Sequence, residues 1–180
     1  MRPLSDLGKR IMVLGPSNAG KSTLAVALSK KLDLPVIHLD QLQHLPHTNW
    51  EPRTESEFAA LHDDAIQGDQ WVMEGNYTRL MPKRFERATG VVLISSNKWL
   101  RLGRYLRRTF THPSRRAGQL EGGQDHLKWE MIQWILFKPP RNTKRYKSMI
   151  EQVPIPSVQC DTAQDLNVLY EGWKLQRPQT

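Results

Sequence analysis

A lone cysteine, Cys160, is the only thiol in this 180-residue chain. Neither an internal disulfide nor a cysteine-based zinc site can therefore hold the fold. Cys160 is read as a half-buried thiol at the end of a strand. Long apolar runs are also missing: none approaches the ~18 to 20 residues of a membrane span, and the opening MRPLSDLGKR has no signal-peptide core. These absences lead us to expect a soluble, cytoplasmic protein with no membrane partner. Acids are the third scarcity, and it is local. The chain carries 26 Lys and Arg against 18 Asp and Glu, a net charge of +8. Residues 1–90 hold 11 of each sign and residues 91–180 hold 15 basic against 7 acidic, so the whole excess lies in the second half. Positions 98–116 (Lys98, Arg101, Arg104, Arg107, Arg108, Arg115, Arg116) and 138–147 (Lys138, Arg141, Lys144, Arg145, Lys147) contain no acid. Clusters of this kind ask for a polyanionic partner, either a nucleic-acid backbone or a triphosphate.

Short apolar runs recur at spacings that leave room for helices. They are Ile11–Leu14, Val36–Leu39, Trp71–Met73 and Val91–Ile94, with a weaker fifth at Ile155–Gln159. Continuous runs are expected of parallel strands covered on both faces. Between them, Leu24, Leu28 and Leu32 repeat with helical spacing. Thr54 and Glu57 form a capping-box pattern ahead of Phe58, Leu61, Ala65 and Ile66, and Thr162 with Asp165 opens a last helix. A further stripe runs through Trp99, Leu102, Leu106 and Phe110. This alternation predicts right-handed crossovers and a doubly wound parallel sheet. Residues 111–126, with Gly118, Gly122, Gly123 and few apolar groups, read as a loop flanked by both basic clusters, followed by an aromatic helix to Phe137.

The most specific pattern is Gly15-Pro16-Ser17-Asn18-Ala19-Gly20-Lys21-Ser22, G-x-x-x-x-G-K-S between a strand and an amphipathic helix. Glycines let the backbone curl so that its N–H groups surround phosphates, and the helix N-terminus adds partial positive charge. Lys21 can reach the outer phosphates, Ser22 can ligate Mg²⁺, and Thr23 continues the segment into the helix. The binding set is thus Gly15 to Thr23, with ATP and Mg²⁺ as the expected cofactors. Asp40 and Glu74 stand at or beyond strand ends, where an open α/β sheet lines its ligand crevice, and join Ser22 as metal candidates. His44 and His47, split by Pro46, are read as solvated loop residues.

No Asp-x-x-Gly or Asn-Lys-x-Asp pattern is present, which disfavours a GTPase. The chain resembles the adenylate-kinase-like P-loop proteins often labelled DNA topology modulation proteins. The residues carrying the likeness are the P-loop, His38-Leu39-Asp40, Trp50 with Arg53, and Trp71-Val72-Met73-Glu74-Gly75-Asn76-Tyr77. Arg101, Arg104, Arg107 and Arg108 and the aromatic helix around Trp129 to Trp134 complete it. Glu74 replaces the usual Asp, and Ser95-Ser96-Asn97-Lys98 stands where the family commonly has Leu-Asp-x-Pro-Arg. The resemblance implies a three-layer P-loop NTPase fold with a five-stranded parallel sheet flanked by helices. It implies one kinase-like domain with an acceptor-binding segment at about 41–70 and a lid at about 111–126.

Transfer of the ATP γ-phosphoryl to a small acceptor, a nucleotide or nucleoside first, is the expected activity. Lys21, Asp40, Arg104 and Arg108 are the candidate catalytic residues, with Asp40 as general base. Asp40, Trp50, Arg53, Asn76, Tyr77, Arg79, Arg141 and Arg145 are the candidate acceptor contacts. Two alternatives stay open: an ATP-dependent nucleic-acid-associated regulator, and a catalytically weak ATP-binding protein.

Overall fold

In a computed structural model of the chain, residues 2–110, 118, 120, 129–137 and 141–178 are described. The expected lid, 111–126, lies outside the described residues except for Gly118 and Leu120. So do the side chains of Arg108 and Arg141.

Five strands form one parallel sheet: β1 (Arg10–Leu14), β2 (Val36–His38), β3 (Trp71–Glu74), β4 (Gly90–Ile94) and β5 (Ser157–Cys160), in the order β2-β3-β1-β4-β5. Each apolar run serves two faces because successive strand side chains point in opposite directions. Ile11, Val13, Val72, Val92 and Ile94 join one core with α1 (Lys21–Leu32) and α8 (Ala163–Gly172). Met12, Leu14, Trp71, Met73, Val91 and Leu93 join the other, with α4 (Met81–Arg87) and α7 (Arg141–Glu151). A three-layer α/β structure results, and β1 sits at the centre of the sheet with its carboxyl end leading into Gly15.

Between β2 and β3 lie α2 (Leu39–Gln43) and α3 (Glu55–Ala65). Both expected capping boxes are present, Thr54 with Glu57 and Thr162 with Asp165. Two helical faces differ from expectation. In α3 the buried residues are Phe58 and His62, while Leu61 is 38% exposed. In α5 (Lys98–Phe110), Trp99 is 62% exposed, and Arg101 and Tyr105 are buried instead. Leucine and tryptophan spacing mislead there because α5 faces backbone carbonyls, which select guanidinium groups over hydrocarbon. The aromatic helix α6 (Trp129–Phe137) leaves Trp129 and Phe137 exposed. Cys160 ends β5 as expected but is fully buried, its thiol pushed up to about 11 by burial and by Asp165 and Asp161. Among the described residues, no helix is long and apolar enough to cross a membrane.

Candidate functional site

The loop from Gly15 to Gly20 turns through positive φ at Gly15 (144°), Asn18 (62°) and Gly20 (105°). A Cβ on Gly15 would come within 2.2 Å of the Ile94 carbonyl oxygen, so only glycine fits the exit of β1. No side chain caps α1, whose N-terminal amides open toward the curl of the loop. The Lys21 ammonium folds back over the loop and donates to the Pro16 carbonyl at 3.2 Å.

One carboxylate lies at the root of the loop. Glu74, at the end of β3 next to β1, is 3% exposed. Its Oε1 accepts from the Ser22 hydroxyl at 3.0 Å and from the His38 ring N–H at 2.9 Å. Burial opposes the charge, but the His38 hydrogen bond, the nearby Lys21 ammonium and Ser22 outweigh it and hold the carboxyl below the usual range. A hydroxyl and an ionised carboxylate oxygen 3.0 Å apart form a hard-oxygen pair. That suits Mg²⁺, which takes one or two protein oxygens and leaves its other positions to water and phosphate. Among the described residues, no group of three or more His, Cys, Asp or Glu converges as a closed metal site.

Asp40 is not at a strand end. β2 stops at His38, the buried Leu39 begins α2, and Asp40 falls in that helix's first turn, exposed. Its described side-chain partner is the Tyr77 hydroxyl, which donates to Oδ1 at 2.6 Å. Tyr77 packs edge-on against Phe58 at 4.7 Å. Burial first, then the Asp40 charge, raises the Tyr77 phenol far above its ordinary range, so it stays a donor.

Several of the other expected acceptor contacts are held by the protein itself. Arg53 donates through one nitrogen to the carbonyls of Gln41, Leu42 and His44, closing the turn in which Trp50 stands edge-on to His44 at 5.3 Å. Arg79 pairs with Glu55 at the surface. Arg145 is exposed on α7. Asn76 turns to the P-loop, accepting from the Gly15 N–H at 3.2 Å and donating to the Gly15 carbonyl at 2.9 Å.

Two arginines of α5 also meet the loop. Arg101 donates to the Ser17 carbonyl at 2.8 Å and Arg104 to the Ala19 carbonyl at 2.6 Å, and burial lowers the pKa of both. Arg101 and Arg104, three apart, thus both turn onto the loop, while the Arg108 side chain lies outside the described residues. Sequence reasoning missed Arg84, which is fully buried and donates to the carbonyls of Gly75 (2.8 Å), Asn76 and Tyr77 (3.3 Å). It also passed over His38 as the partner of Glu74 and Gly118, whose added Cβ would lie 2.9 Å from His38 Nδ1 and 3.3 Å from Glu74 Oε1. A histidine closing one strand run and an acid closing the next were the available signal for His38, and the two fall opposite each other in the sheet; a buried arginine leaves none.

No family model matches the chain, and no curated protein does. Solved structures do. A shikimate kinase from Acinetobacter baumannii in complex with shikimate is 16% identical with a TM-score of 0.53, over 94% of this chain and 95% of that one. A gluconokinase from Sinorhizobium meliloti is 17% identical with a TM-score of 0.51, over 96% and 98%. A putative kinase from Chloroflexus aurantiacus is likewise 17% identical with a TM-score of 0.51, over 94% and 97%. At such identities the likeness is one of fold, and with the sheet order and the Gly15 to Ser22 loop it gives this chain the P-loop kinase-like architecture.

Proposed function

We propose that the chain is an ATP-dependent phosphotransferase acting on a small hydroxyl-bearing acceptor, with nucleosides and nucleotides the first candidates. The observation that carries this reading is the convergence of Lys21, Ser22 and the ionised Glu74 on one glycine-lined loop. Fold-sharing structures described as shikimate kinase and gluconokinase support a small acceptor.

The amides of Gly15 to Thr23 and the Lys21 ammonium bind the triphosphate, and Ser22 with Glu74 holds the metal. Bound ATP and Mg²⁺ supply the transferable phosphoryl group and neutralise its oxygens. Asp40, with Oδ1 held by Tyr77, takes the acceptor hydroxyl proton on its other oxygen. Arg104 and Arg108 offset charge on the donor side, and Arg101 with Arg104 keeps the loop carbonyls turned outward. Residues 41–70 form the acceptor-binding segment of a single domain and residues 111–126 its lid, with Arg141 and Arg145 beyond it.

The nucleic-acid reading is weaker because two of the clustered arginines are turned onto the P-loop rather than outward. The test is a coupled ADP-release panel of nucleosides, nucleoside monophosphates, sugars and small hydroxy acids, run beside Lys21→Ala. One acceptor class should drive ADP release, and Lys21→Ala should lower it at least about a hundredfold, about 2.7 kcal/mol of transition-state stabilisation. A protein that binds ATP yet shows no acceptor-dependent release across the panel would exclude the kinase reading.

A further inference from the structure

The segment Gly75–Tyr77 links three parts of the site. It follows Glu74 directly, reaches Gly15 through the Asn76 amide, and reaches Asp40 through the Tyr77 hydroxyl. Positive φ at Gly75 (129°) and Tyr77 (37°) turns the chain sharply on both sides of Asn76. A Cβ on Gly75 would lie 2.8 Å from that of Leu39, so the first turn has no room for another residue. All three carbonyls of the segment accept from one fully buried guanidinium, Arg84 of α4. A buried charge is stable only where dipoles or counter-charges solvate it, and three converging carbonyls do this while fixing the loop in one conformation.

We propose that Gly75–Tyr77, anchored by Arg84, is a positioning loop that sets donor and acceptor groups from one base: Asn76 fixes Gly15 for the donor phosphates, and Tyr77 separately orients Asp40 for the acceptor. This assigns Asn76 a role through the P-loop rather than on the acceptor, and it rests on the phosphotransferase reading. Asn76 and Tyr77 are positioning residues acting through Gly15 and Asp40. The two arms diverge from the same anchor, so their loss should be felt on different substrates.

Two measurements test it on the full chain. Native-state amide exchange in the ligand-free protein should show the Gly15 N–H exchanging about tenfold faster or more in Asn76→Ala, with Met12 and Val13 unchanged. Calorimetry with a non-hydrolysable ATP analogue and Mg²⁺ should show about a tenfold loss of affinity in Asn76→Ala and none in Tyr77→Phe. In turnover, Tyr77→Phe should instead lower kcat with the KM for ATP unchanged.

Unchanged Gly15 exchange in Asn76→Ala overturns the proposal. So does an unchanged analogue affinity in that variant while the wild type binds, with the phosphotransferase reading left standing. A wild type that fails to bind the analogue overturns both.

Discussion

Gly15→Ala puts the smallest possible side chain at the exit of the central strand. Its Cβ would sit 2.2 Å from the Ile94 carbonyl oxygen, about 1 Å inside ordinary carbon–oxygen contact. Neither side can retreat, because Leu14 is paired with Leu93 in the sheet and Ile94 with Cys160 on the far side of β4. The φ of 144° adds backbone strain of about 1–3 kcal/mol, and the forced displacement adds about 1–3 more. A total of about 2–6 kcal/mol is a large share of the about 5–15 kcal/mol that stabilises a domain. For a chain of this size it lowers the melting temperature by about 4–24 °C. Gly103→Ala is the internal control. That glycine lies within α5, and nothing stands within 4 Å of an added Cβ, so alanine should stabilise by about 0.5–1 kcal/mol. Thermal unfolding by circular dichroism, with urea midpoints as a second measure, reads both. A Gly15→Ala protein that melts as high as the wild type would refute the reasoning.

Thr54→Ala removes the side chain that accepts from the Glu57 N–H at the start of α3. It should cost about 1 kcal/mol, read as a lower urea midpoint with an unchanged slope. Cys160 has a folded pKa raised to about 11 from 9.0. Its contribution is therefore complete below about pH 9 and is lost as pH rises through 11. Urea unfolding across pH 8 to 11 should show a decline that is shallower in Cys160→Ala. The native thiol should also resist alkylation near neutral pH, since it is both buried and protonated.

How much of this could be read from sequence followed from how local each signal is. The five strands, the capping boxes and the glycine loop are each written in fewer than about ten consecutive residues. They were legible to within a residue or two: β2 gave up Leu39 to the helix that follows. Asp40 moved for that reason, since one residue decides whether a side chain projects from a strand end or from a helix turn. Asn76 was noticed and Arg84 was not. Both make their contacts with backbone rather than with other side chains, and backbone partners leave no mark in a sequence. In α5 the charge run was visible, yet the direction of each guanidinium was not. Arg101 and Arg104 reach inward because the P-loop carbonyls of Ser17 and Ala19 stand opposite them.

The last backbone link between β3 and β1 is the Gly75 N–H to the Val13 carbonyl, at 3.4 Å. The next rung up that ladder is the Asn76 carboxamide against Gly15, a side chain standing where a third peptide unit would otherwise lie. The sheet is in this sense one residue longer than its strands. A chimera that imported β1 and its loop from a related protein without the matching β3 turn would cut this rung while leaving every strand residue in place.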